Sequence, residues 1–177
     1  MNGTRIVKQL ALGLLAMAGA ARAQTPEEPQ ALLVTAANLM AGDARHQAWA
    51  AAGGAATDVL PGDVIRYQLQ FTNRQDVPVR NVVFANPIPS GLRYVAASAA
   101  SGAADATITF SIDGGKSFST QPMIEVVENG ERRSIPAPPQ MYTHVRWTLA
   151  GWVQPGAQVT AEFHAELPAP AGQPEQR

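Results

Sequence analysis

In "DVIRYQLQFTN", Asp63 to Asn73, the apolar residues Ile65, Tyr67, Leu69 and Phe71 alternate without a break with Arg66, Gln68, Gln70 and Thr72. Successive side chains of a strand point to opposite faces, so as a strand this run buries one face and wets the other. As a helix it would scatter its apolar residues around the axis. The same two-fold pattern closes the chain. Val145, Trp147 and Leu149 alternate with His144, Arg146 and Thr148, and Val159, Ala161, Phe163, Ala165 and Leu167 alternate with Thr160, Glu162, His164 and Glu166. Alternation places Trp147 in the core.

Between these runs the chain is punctuated by turn residues. Pro61-Gly62-Asp63 feeds the first strand, and Pro155-Gly156 separates the last two, which are expected to be hairpin partners. "VRNVVFANP" and "GLRYVAAS" read as two strands parted by Pro87, Pro89 and Gly91. "ATITFSI" sets Ile108, Phe110 and Ile112 on one face and runs into Asp113-Gly114-Gly115, while Asn129-Gly130 lies between two β-prone runs in "MIEVVENGERRSI". Such dipeptides supply the positive φ angles of tight hairpins. Seven or eight short strands with turns between them predict an all-β fold, a single antiparallel β-sandwich over residues 31–168.

The segment ahead of Pro61 is less regular. "ALLVTAANLM", Ala31 to Met40, is compatible with a first strand or a short helix. Residues 41–60 form an Ala- and Gly-rich connection, whose alanines allow a helical turn around Arg45 to Ala52 before Gly53-Gly54 stops it.

The two ends bear on compartment. Arg5 and Lys8, the apolar stretch Leu10 to Ala20 and Ala21-Arg22-Ala23 are the basic, hydrophobic and cleavage regions of a signal peptide over residues 1–23. Export to the periplasm or the cell exterior is therefore expected. Residues 24–30 come next as a flexible acidic leader, and residues 169–177 are expected to be a disordered tail. The chain has no cysteine, so a lipoprotein thiol, disulfides, thiol catalysis and thiolate metal sites are excluded. No second long apolar segment comes after the first, and neither a transmembrane helix nor a lipid anchor is expected. About 154 residues remain after cleavage, enough for one domain that buries about two thirds of its unfolded surface.

Of the 13 basic side chains, Arg5, Lys8 and Arg22 lie in the signal segment, which leaves the 14 acidic ones in excess. That balance argues against nucleic acid as a partner. Arg132-Arg133, beside Glu131, reads as a solvated hairpin end.

"PGDVIRYQLQFTNRQDVPVRNVVFANPIPSGLRYVAAS", Pro61 to Ser98, resembles the bacterial conserved repeat domain called domain of unknown function 11. It carries a Pro-Gly-Asp turn, a strand ending in Thr-Asn, a valine-rich strand, a Pro-x-Pro corner with Gly-Leu, and a strand with Tyr-Val. "VRWTLAGWVQPGAQVTAEFHAEL" resembles that domain's closing strands. Arg74-Gln75 stands where the family has glycine after Thr-Asn, Asn86 where it has aspartate, and the stretch from Trp147 to Pro155 is one residue longer. The resemblance implies an immunoglobulin-like fold in exported or surface proteins, with no catalytic or cofactor residues.

"SIDGGKSF", Ser111 to Phe118, resembles the Asp-box of sialidase propellers. A propeller needs several such boxes at blade spacing, and this chain has one. The stretch is expected to be a hairpin in which Asp113 caps its own turn and Phe118 packs inward. His144 and His164, at outward positions of expected hairpin partners, together with Glu162 or Glu166, are the candidate metal ligands, although no H-x-H or H-E-x-x-H spacing supports them. There is no G-x-S-x-G elbow; Ser90, Ser98, Ser101 and Ser117 fall in turns, and the carboxylates fall singly. Gly53-Gly54 and Gly114-Gly115 do not open a phosphate-binding helix. Trp49 and Trp152 are the aromatic candidates for binding, Trp152 being expected in the loop between the last two strands, where it would cap the open end of the sandwich.

Together these features point to a non-enzymatic module without cofactor that has a structural or protein-interaction role, with another envelope or surface protein met through exposed strand edges and end loops, and with the edge strand Ala31 to Leu39 a candidate for donation to that partner. A carbohydrate-binding or glycosidase-accessory domain is the alternative, and a periplasmic metal-binding domain a further one.

Overall fold

The computed structural model describes residues 32–169. The expected signal segment, the expected acidic leader and all but the first residue of the expected tail lie outside this range. In chain order the elements are β1 (Leu32–Asn38), α1 (Ala44–Ala51), β2 (Val64–Thr72), β3 (Val79–Pro87), β4 (Arg93–Tyr94), β5 (Ala100–Ser101), β6 (Ala106–Ser111), β7 (Met123–Glu128), β8 (Glu131–Pro136), a 3-10 turn (Pro139–Met141), β9 (His144–Val153) and β10 (Gln158–Glu166).

All pairings are antiparallel. One sheet runs β1-β2-β10-β4, with β5 also on β10; a second runs β3-β9-β6; β7 and β8 form a separate two-stranded ladder. The alternating residues of the first two sheets face each other across a shared core. Leu69, Phe71, Ala161, Phe163 and Ala165 come from one sheet, and Phe84, Val145, Trp147, Leu149 and Val153 from the other. Trp147 is fully buried, its ring 6.2 Å from Phe163 and 5.7 Å from Phe84, and its Nε1 donates to Ala100 O at 2.9 Å. A buried indole without that acceptor would leave a donor unpaired. Tyr67 is the partly wetted member of its row and stacks on Phe163 at 5.0 Å.

Two expectations about the sheets change. β9 and β10 are consecutive but belong to different sheets, because the Pro155-Gly156 turn carries the chain across from one layer to the other. β2 and β3 cross over in the same way, and Asn73 joins the two crossings. Its fully buried side chain donates to Val77 O at 3.0 Å and Val153 O at 2.9 Å, and its backbone bonds Ala157 and Gly156. The other change concerns "GLRYVAAS", which contributes only two ladder residues: Leu92 N bonds Pro89 O, and Ala97 takes φ 58°. The turn chemistry there wins over the short β-prone run.

Of the two forms allowed for Ala31 to Met40, the strand forms, because Leu32 and Val34 lie opposite the buried Phe71 and Leu69. α1 occupies the Ala-rich stretch. Asp43 is its N-cap, accepting from His46 N at 3.0 Å, and the helix ends one residue before Ala52. The Asn129-Gly130 turn has φ of 54° and 83°, the pair of left-handed residues that a two-residue hairpin needs.

Candidate functional site

The residues singled out by the sequence fall in separate places. His144 lies on β9 and His164 on β10, so the two histidines sit on different sheets and do not meet. His144 is paired with Ser111 and Pro87, and His164 with Arg66. The shared ligand set with Glu162 or Glu166 rested on a hairpin that does not form. Among the described residues no cluster of three or more His, Asp or Glu side chains is arranged to hold a metal ion.

"SIDGGKSF" is a turn locked by its own aspartate. Asp113 accepts from the amides of Lys116 and Ser117 at 3.0 Å each, from Ser117 Oγ at 2.6 Å and from Ser111 Oγ at 2.7 Å. The Ser117 hydroxyl and amide, with Ser111 and Lys116, hold its carboxyl well below the usual carboxylate range. Both carboxylate oxygens are thus engaged by the loop's own donors. Phe118 does not pack inward. It covers the outer face of β9, with the Arg146 guanidinium 4.1 Å from its ring centroid and His144 against its edge.

Trp152 lies within β9 rather than in a loop, opposite Arg80, and is 61% exposed. The Arg80 guanidinium sits 5.2 Å from its ring centroid. Strand β9 runs on past the expected turn, so the tryptophan stands on an outer sheet face and not over the sandwich end. Trp49, on α1, is also part-exposed, but it is tied down. Its Nε1 donates to Asp58 Oδ2 at 2.7 Å, and its ring lies where a Cβ on Gly54 would clash.

The sequence reading missed a polar cluster where β1, α1 and the head of β2 meet. Asp63 is fully buried and accepts from Asn38 Nδ2 at 2.6 Å, Arg45 NH2 at 2.9 Å and Leu60 N at 2.9 Å. The buried His46 ring lies between two carboxylates, with Nδ1 3.0 Å from Asp43 Oδ1 and Nε2 2.9 Å from Asp63 Oδ2. Its two nitrogens face different acids, so the three cannot converge on one ion. An acidic residue in the Pro-Gly-Asp turn was the only signal, and turn formation alone accounted for it.

The remaining feature is β1 itself. Among the described residues it pairs with β2 alone, so its other edge is open. "LLVTAAN" has no charge and no proline, and its ladder with β2 is regular over all seven residues. Edge strands normally carry at least one such guard against pairing with another chain. Leu33 points outward and is exposed, while Leu32 lines a groove of about 400 Å³ whose walls include Phe71, Val79, Val82 and Phe84. The opposite wall belongs to β3, where the ladder slips between Arg80 and Val82 and Asn81 takes φ 54°. A bulge of this kind bends the strand and leaves the gap between the two layers open there.

No family model, curated protein or solved structure matches the chain.

Proposed function

We propose that the chain is an exported, non-catalytic module of the cell envelope or surface, an immunoglobulin-like β-sandwich that binds another envelope protein by strand addition. The observation that carries this reading is the open, uncharged and unbulged edge of β1 beside a groove of mixed lining, in which Leu32 and Phe71 face the bulged, Arg80- and Asn81-bearing stretch of β3. An extended segment laid along β1 gains main-chain hydrogen bonds from the edge, while its alternate side chains enter the groove. The resemblance of Pro61 to Ser98 to the conserved repeat domain supports the fold and the compartment in this proposal.

Leu33→Lys tests it, since a lysine on the outward face of the edge opposes strand addition without entering the core. The variant is expected to keep its stability within about 0.5 kcal/mol and to lose the partner. Retained binding would remove β1 as the site.

A carbohydrate-binding reading keeps one specific observation, the exposed Trp152 with Arg80 over its ring. It predicts glycan-array binding that disappears in Trp152→Ala. An array without signal for any glycan class would leave it unsupported.

A further inference from the structure

Two carboxylates, which only accept hydrogen bonds when ionised, face the His46 ring, one at each nitrogen, and the Asn38 amide nitrogen also lies 3.3 Å from Nε2. The imidazolium is the form that can donate to both carboxylates. The elements packed around it contribute Asp43 and Arg45 from α1, Asp63 from the head of β2, and the uncharged amide of Asn38 from the end of β1. Asn38 donates to the same Asp63 oxygen that faces His46, and Leu39 N bonds Val64 O immediately beyond. The cluster therefore ties α1 to the end of β1 and the head of β2, which are already paired with each other in the ladder. α1 has few apolar anchors, since His46 is its buried residue.

We propose that His46 is a proton-operated clasp, whose imidazolium tightens α1 and the C-terminal end of β1 against the head of β2 and whose deprotonation loosens them locally. Neutral imidazole has one donor, so one carboxylate would face a nitrogen lone pair in a buried site. Arg45 of α1 and Asn38 of β1 keep their bonds to Asp63 in that state, so the change is a more frequent local opening of α1 and the strand end, not their release. The hydrogen bond to Asp43, aided by both acidic charges, raises the proton affinity of His46 above its ordinary value. A raised folded-state pKa gives stability that is fully present below the unfolded value of about 6.5 and is lost as pH rises through the folded value. The clasp is thus closed in mildly acidic surroundings and opens toward alkaline pH. This holds whichever partner β1 takes.

The test is an NMR titration of the His46 ring in the full chain over about pH 5 to 9, with hydrogen exchange of the α1 and Leu39 amides corrected for intrinsic rates. His46 is expected to titrate above about 6.5. The local opening constant should rise about tenfold for each unit by which it does so, while the Trp147 amide keeps its protection. In His46→Gln the opening should no longer depend on pH. Asp43→Asn keeps a capping side chain and should lower the His46 midpoint even if the glutamine variant does not fold. A His46 midpoint at or below 6.5, a midpoint unmoved by Asp43→Asn, or the same pH-dependent opening in His46→Gln would overturn the clasp.

Discussion

Asn73 shows how much one buried side chain can hold when it reaches two places at once. Its amide satisfies carbonyls of Val77 and Val153, on the two connections that pass from one sheet to the other. Asn73→Ala leaves the buried Val153 carbonyl without a donor, and such a group costs about 1–3 kcal/mol, while the carbonyl of the exposed Val77 is within reach of water. A stability lowered by about 1–3 kcal/mol in denaturant titration is expected; a loss below about 0.5 kcal/mol would mean that water replaces the amide at Val153 too. Asp113 acts over a shorter range, within its own turn. Its folded-state pKa is depressed by the Ser117 and Ser111 hydroxyls and the Lys116 and Ser117 amides. Its contribution is present above the unfolded pKa of about 3.9 and is lost as pH falls through the folded value. Asp113→Ala should therefore lower the melting temperature at neutral pH and lose that difference in strong acid, as thermal melts along a pH series would show. The role of Asp113 was legible from the sequence and that of Asn73 was not. The capping of "SIDGGKSF" by Asp113 is a matter of local turn chemistry, but the two carbonyls served by Asn73 become neighbours only once both crossings exist.

At the scale of elements, the ladders differ in what supports them. β9 is paired on both sides, by β3 and β6, and its inward residues are fully buried. β7 and β8 pair only with each other among the described residues, and Val127 stays 71% exposed. A two-stranded ladder without a hydrophobic face to cover it is marginal in water. Amide exchange should accordingly be fastest in β7 and β8 and slowest in β9, and equal protection would show that the hairpin is covered by something. Strand positions in β2, β9 and β10 were readable because each buries one apolar face, so alternation is imposed by the core. β5 was not, and of the run read as a strand in "GLRYVAAS" only Arg93 and Tyr94 pair, because two-residue ladders carry no period. The membership of β9 and β10 in different sheets was hidden for another reason. A Pro-Gly turn reads the same whether it closes a hairpin or passes between layers, and that difference dispersed the His144 and His164 pair.

For the whole molecule, the two facing sheets depend on one aromatic core in which Trp147 touches both layers through Phe84 and Phe163. Trp147→Ala should cost about 3–5 kcal/mol, a large share of the stability of a domain this size. Alternation in the sequence identified that residue. The open edge was legible only as a possibility, since neither the lone pairing of β1 nor the bulge at Asn81 has a local signature. The same holds for the cluster around Asp63, which is assembled from β1, α1 and a turn. In the proposed function, recognition takes place at one strand edge, and the rest of the molecule is its scaffold. The most direct test is retention of envelope proteins by three immobilised forms, the native protein, Leu33→Lys and a control with lysine at the exposed Val127 on the separate hairpin. A protein held by the native and control forms and lost from Leu33→Lys is the predicted result; the same protein held equally by all three would contradict recognition through β1.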